Sequence, residues 1–290
     1  MFSILTQTQK GILIAFAGFT SFALADACSK WLGMRYETQF ILYWVYYISL
    51  IIGLVCSPFL GGVKKTLQTK RLHIHIWRGV CALGIAITVV SALSKGLPLA
   101  TLYTILFLAP FLITITAIPI YKEPVTVKSW LIIALGFSGI LIAFRGGVEF
   151  SIASAYAFSA LGFIVVLSLL ARPLCHKETL LSLSFYPNIV ILSMLTLPML
   201  PNLSLPDMRD IPIFLLDGLF VTIGLSAIAY GFRIAPYSII APIHYTQMVI
   251  AVIVGYIVFG DVPDIWLIFG ASIIIISGIM LALNKDNKKH

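Results

Sequence analysis

The sequence predicts an all-α polytopic membrane protein of ten transmembrane helices, arranged as two inverted five-helix repeats. Three observations lead there. Of 290 residues, 60% are hydrophobic and only 10% charged, and the mean hydropathy is +1.04. A soluble domain carries roughly 25% charged residues, so this chain cannot cover a water-facing surface and lipid must be its solvent. Apolar windows then fall at 11–31, 40–60, 73–94, 98–120, 127–145, 151–171, 180–200, 211–232, 237–259 and 265–283. Each is close to the ~20 residues a helix needs to cross a bilayer, and helix is the only open-chain element that satisfies its own backbone there. Finally, the chain matches itself. Lys95, Pro98 and Glu123 return as Arg233, Pro236 and Asp261, each 138 residues later.

Each repeated proline suits the first turn of a helix, where its missing N–H costs nothing. Each basic residue ends the preceding helix and complements its dipole. Five is odd, so two five-helix halves, 1–145 and 146–290, must insert in opposite senses. That architecture puts a transporter's site at the midplane between the halves.

The net charge of +8 lies in short segments between apolar runs, the pattern of a cytoplasmic membrane face and not of a nucleic-acid surface. With the N-terminus inside, fourteen of the nineteen Lys and Arg fall on inner segments, four on outer ones, and Lys30 lies within the first span. Both termini are therefore expected in the cytoplasm and the chain in the inner (plasma) membrane. Lys10, an apolar run and Ala23-Leu24-Ala25 imitate a signal peptide. Cleavage there would remove most of a helix that the repeat requires, so the segment is expected to stay. Cys28, Cys56, Cys81 and Cys175 form no CxxC pair and read as small apolar fillers.

Taken in order, the first window holds Asp26 and Lys30 four residues apart. They form either a functional pair facing a cavity or a self-neutralising i,i+4 pair that only orients the helix. The second window carries Tyr43, Trp44, Tyr46 and Tyr47. The first two read as interfacial belt, whereas Tyr47 is deep enough to stack on a planar or cationic solute. In the third, His73-Ile74-His75 is too loosely spaced and too near the headgroups for a metal site, and Arg78 reads as an inner-face anchor. Tyr103 in the fourth is again placed to stack on solute. Gly136-Phe137-Ser138-Gly139 in the fifth and Ser277-Gly278 in the tenth permit close helix approach, for packing within the monomer or in a homodimer. Asp217 in the eighth answers Gly79 under the repeat offset, beside Arg78. It is a proton or cation site, or a packed residue at the outer headgroups. His244, Tyr245 and Gln247 in the ninth bring donors and acceptors where lipid offers none.

Several motifs resemble the drug/metabolite transporter superfamily, and specifically EamA-type carriers with two five-helix repeats. They are Lys95-Gly96-Leu97-Pro98, Tyr121-Lys122-Glu123-Pro124, Ala241-Pro242 and Phe259-Gly260-Asp261-Val262-Pro263. Asp26-Ala27-Cys28-Ser29-Lys30-Trp31-Leu32-Gly33 and His75-Ile76-Trp77-Arg78-Gly79 look like segments of S-adenosylmethionine uptake carriers. Ala241-Pro242-Ile243-His244-Tyr245 departs from those carriers, which tend to have a basic residue beside the tyrosine. The resemblance implies that the ninth span lines the cavity.

The expected function is secondary active transport of a small polar organic metabolite by alternating access, with an S-adenosylmethionine-like or amino-acid-derived solute among the options. No Walker loop, HExxH or GxSxG pattern occurs, which removes the motif support for ATP-driven pumping and for the familiar hydrolases. An intramembrane enzyme acting on lipid-linked groups, or a channel, is the alternative. The expected site is Asp26, Lys30, Tyr47, Tyr103, Asp217, His244, Tyr245 and Gln247, with no cofactor and no metal. The partners are the solute and the lipid bilayer, with no nucleic acid.

Overall fold

The computed structural model describes residues 6–121, 127–143, 151–171, 178–234, 243–244 and 246–283. Among them every regular element is helical: α1 Gln7–Leu32, α2 Thr38–Val55, α3 Leu72–Ser94, α4 Leu99–Leu106, α5 Ala109–Tyr121, α6 Val127–Ala143, α7 Ile152–Ala171, α8 Leu180–Met199, α9 Ile211–Ile234, α10 Thr246–Phe259 and α11 Ile265–Leu283, with three short helical turns besides. Six of these (α1, α2, α3, α7, α8 and α9) are long and apolar enough to cross a membrane. Shorter apolar helical stretches cover Leu99–Ile113, Trp130–Ala143, Thr246–Phe259 and Ile265–Ser277. Large apolar side chains such as Phe16, Ile51, Leu141, Leu197 and Ile257 stand exposed, as a lipid-facing surface requires. Glu123, Pro236, Ala241-Pro242, Tyr245 and Cys175 lie outside the described residues.

Local chemistry sets several boundaries. Thr6 and Gln9 form a capping box at the start of α1, each side chain serving the other's backbone N–H. Thr179 caps α8 by accepting from the Ser182 N–H at 3.1 Å. Gly96 and Gly260 adopt φ of 83° and 69°, the left-handed conformation that closes a helix without a Cβ penalty. In both places the next residue's N–H reaches back, Leu97 to the Ala92 carbonyl and Asp261 to the Gly255 carbonyl. The second closure fixes where Asp261 points.

The fourth expected span, 98–120, is not continuous. It divides into α4 and α5 at Phe107-Leu108. Pro110 has no N–H to offer the Leu106 carbonyl, so the ladder cannot run through. It restarts when the Phe111 and Leu112 N–H groups both donate to the Leu108 carbonyl.

Two apolar cores flank α1. One gathers Tyr103, Phe107 and Phe111, all essentially fully buried, with α6, α7, α10, α11 and Ala27 of α1. The other gathers Phe214, Ile41 and Ile191 from α9, α2 and α8 with Ala25 of α1. Asp26 therefore sits on the seam between the cores.

Some polar contacts between distant parts of the chain lie at the two ends of the bundle. At one end Thr69 donates to Glu178 Oε1 at 2.7 Å, His75 Nε2 lies 3.6 Å from Glu178 Oε2, Arg233 donates to the Glu178 carbonyl, and the Thr66 and Thr179 hydroxyls meet at 2.7 Å. At the other, Arg35 and Tyr36 converge on Asp210 at 3.0 and 2.9 Å. His75 corrects an expectation: it is fully buried, not exposed near headgroups. Tyr186 packs over its ring at 4.7 Å and Glu178 faces it.

Candidate functional site

Helix α1 presents Asp26, Ser29 and Lys30 within little more than one turn, and each finds its partner on a different helix. Asp26 accepts a hydrogen bond from the Tyr103 hydroxyl of α4. That hydroxyl in turn accepts from Gln247 Nε2 of α10 at 2.7 Å. The result is a chain of polar groups from α10 through α4 to α1, ending on a half-buried carboxylate. Beside it, His244 stacks on Phe19 of α1 with ring centroids 4.7 Å apart and meets Phe107 edge-on at 5.3 Å. His244 and Gln247 thus both lie at this cluster.

The i,i+4 pairing of Asp26 with Lys30 is not formed. Lys30 Nζ lies 2.5 Å from Asp261 Oδ2 and 4.4 Å from the centre of the Phe259 ring. Leaving water costs a charged group several kcal/mol, and an opposed carboxylate and an aromatic face offset more of that than Asp26 would along the helix. Lys30 consequently joins α1 to the far end of α10 and stays out of the Asp26 cluster. The repeat had marked Asp261 as a helix end only.

Asp217 of α9 is completely buried and accepts from Ser29 Oγ at 2.8 Å. It lies within electrostatic reach of Asp26 but shares no hydrogen bond with it. Among the described residues neither carboxylate is in an ion pair.

Tyr47 requires correction. It is 42% exposed and packs parallel to Tyr43, with centroids 6.4 Å apart, and edge-on to Trp44. It packs with those two rings and does not join the Asp26 cluster. The preceding residue, Tyr46, lies instead within electrostatic reach of Asp217 and Asp26. Tyr245 lies outside the described residues.

Sequence reasoning missed a second buried network. Ser49 of α2 accepts from Asn188 of α8 at 3.0 Å and from Thr222 of α9 at 2.9 Å. Each is a polar side chain inside an apolar window, and Asn188 follows a mid-helix proline, Pro187; that was the available signal. Ser29, the donor to Asp217, carried none beyond its spacing from Asp26.

The small residues of α6 are used within the chain. A Cβ on Gly139 would meet the Gly270 carbonyl oxygen at 2.7 Å, and Gly136 lies against the Phe111 ring. Among the described residues no group of three His, Cys, Asp or Glu could hold a metal ion.

Residues 9–145 match the EamA-like transporter family. Among curated relatives, an S-adenosylmethionine uptake transporter of Rickettsia bellii (strain RML369-C) is 27% identical over 86% of this chain and 85% of its own. That of Rickettsia conorii (strain ATCC VR-613 / Malish 7) is 26% identical over 91% and 90%. A riboflavin transporter of Vibrio cholerae serotype O1 is 24% identical over 95% and 93%. A solved crystal structure shares the fold at 15% identity with a TM-score of 0.68, covering 94% of this chain and 97% of that one. With a helical architecture whose surface is apolar, a match of residues 9–145 to the EamA-like transporter family and relatives named transporters that align over most of their length, the chain is a multi-pass membrane protein similar to small-metabolite transporters.

Proposed function

We propose that the chain is a secondary active transporter moving a small, cationic, polar organic metabolite across the inner membrane by alternating access. Asp26 is its central solute ligand. The observation that carries this reading is the Gln247–Tyr103–Asp26 chain. It ends on a carboxylate that no basic side chain among the described residues neutralises, at the meeting of α1 and α4 with α10. A carboxylate held this way in a membrane protein usually faces a cavity and a ligand. The aromatic rings of Phe19, His244 and Phe107 beside it offer a surface for a planar ring.

The named relatives bracket the solute. S-adenosylmethionine carries a sulfonium and an ammonium group beside its adenine, whereas riboflavin is uncharged. Asp26, which is in no ion pair among the described residues, favours the cationic one. In this reading the chain has ten spans in two inverted halves, 1–145 and 146–290, and both termini lie in the cytoplasm. Inter-half contacts at Glu178 and at Lys30–Asp261 alternately open and close the two ends. Gly139 and Gly270 are occupied with each other, which favours a monomer over a homodimer built on those faces.

Solute exchange in proteoliposomes tests the proposal. Labelled S-adenosylmethionine should exchange against unlabelled S-adenosylmethionine and not against riboflavin, and Asp26→Asn should lower that exchange by about tenfold or more, as expected when a buried charged contact is lost. Exchange of riboflavin alone would refute the cationic class. Undiminished exchange in Asp26→Asn would remove Asp26 from the site.

A further inference from the structure

Asp217 is a buried carboxylate that the solute cluster leaves unused. Its side chain has no solvent exposure, Oδ2 accepts from Ser29, and Oδ1 is buried without a hydrogen-bond partner. The groups facing it can be named helix by helix. From α1 come Asp26, Cys28 and Ser29, and from α2 comes Tyr46. Helix α8, also packed on α9, carries a single titratable group, Tyr186, and that is engaged at the far end with the Thr66 carbonyl. None of these is a cation. Lys30, next to Ser29, is held by Asp261.

An ionised carboxylate with one hydrogen bond and no counter-charge is costly at this depth. The space around it decides what can neutralise it. At the adjoining residue α2 presses on α9: a Cβ on Gly218 would come within 2.6 Å of Ile48 and 3.1 Å of the Val45 carbonyl oxygen. An organic cation does not fit there. A hard metal ion takes about six oxygen ligands, where Asp217 and Ser29 supply far fewer. A proton needs neither room nor further ligands.

We propose that Asp217 is the proton-coupling group of this carrier, binding a proton from one face of the membrane and releasing it to the other during each transport cycle. The inference rests on the transporter reading above. In the balanced step a proton leaves hydronium at one end and forms an O–H bond at Oδ1. That bond breaks when the opposite end opens, returning the proton to water. Asp26, less deeply buried than Asp217 and electrostatically linked to it, lies in the other half of the chain. Rocking of the halves therefore changes the distance between the two acids and, with it, the affinity of Asp217 for the proton.

Infrared difference spectra of the full chain in lipid, taken at stepped pH, test this without any solute. The wild type should show the C=O band of a protonated carboxyl group that titrates. Asp26→Asn should keep the band and Asp217→Asn should lose it. Should Asp217→Asn not fold, Ser29→Ala serves in its place, because it retains the carboxyl but removes its hydrogen bond and should move the titration midpoint. Identical spectra for wild type and Asp217→Asn, or an unmoved midpoint in Ser29→Ala, would overturn the assignment. In proteoliposomes containing a pH dye, an S-adenosylmethionine gradient should change the interior pH. In Asp217→Asn that change should vanish, and any remaining flux should be independent of an imposed pH difference. Flux that still follows the pH difference in Asp217→Asn also overturns it. Absence of S-adenosylmethionine exchange in the wild type counts against the transporter's proposed solute, and the infrared titration still decides Asp217.

Discussion

One hydroxyl, that of Tyr103, serves two partners: it donates to Asp26 and accepts from Gln247. Tyr103→Phe keeps the ring in its core and strands both neighbours. The expected cost is about 1–3 kcal/mol of stability for the unsatisfied groups, with a larger loss of apparent solute affinity. Thermal unfolding in detergent and the KM for S-adenosylmethionine measure the two separately, and a KM that moves no more than the stability would reduce Tyr103 to a structural residue. Lys30 permits a sharper test. Because it pairs with Asp261, Lys30→Met should strand Asp261, and adding Asp261→Asn should recover stability with a coupling of about 0.5–3 kcal/mol. Adding Asp26→Asn instead should recover nothing. Recovery with Asp26→Asn would restore the i,i+4 pair that the sequence suggested.

Helices α6 and α11 meet backbone to backbone at Gly139 and Gly270. Close approach through small residues replaces the hydrophobic drive that lipid cannot supply. Gly139→Leu should therefore cost about 1–3 kcal/mol or more through overpacking; an unchanged melting curve would mean that the helices can separate there freely. At the end of the bundle near Glu178, one side chain gathers Thr69 and His75 while its backbone carbonyl takes Arg233. Glu178→Ala removes the first two contacts and spares the third. Hydrogen exchange should then rise in residues 66–69 and in the first turn of α8, with the last turn of α9 little changed. Uniform exchange across all three segments would show that Glu178 does not latch that end. None of this was legible beforehand, because Glu178 stands in a short polar segment with no periodic pattern around it.

For the whole molecule, the excess of Lys and Arg on one set of loops forecasts both termini in the cytoplasm. Reporter fusions after Asn284 and within residues 201–210 should report opposite compartments, and agreement between them would end the five-plus-five topology. The contacts of residues 60–69, 178–181 and 233 gather at one end of the bundle and those of residues 35–36 and 204–210 at the other.

The lipid-embedded helical class, the positions of most spans and the likeness to a transporter family were all written in the sequence. Composition, window length and the residues at helix ends are local properties, and a bilayer reads them locally, one segment at a time. The site was legible only as a set of buried polar residues. Asp26 and Lys30 lie four apart on one helix, and the simplest pairing joins them. In the folded chain their partners come from 77 and 231 residues away, while Tyr47 turns to the surface and Tyr46 inward. Those outcomes depend on which helix faces which. Pairing energy in a low-dielectric interior goes to the best-placed partner in space, and only the tertiary structure decides where that partner stands.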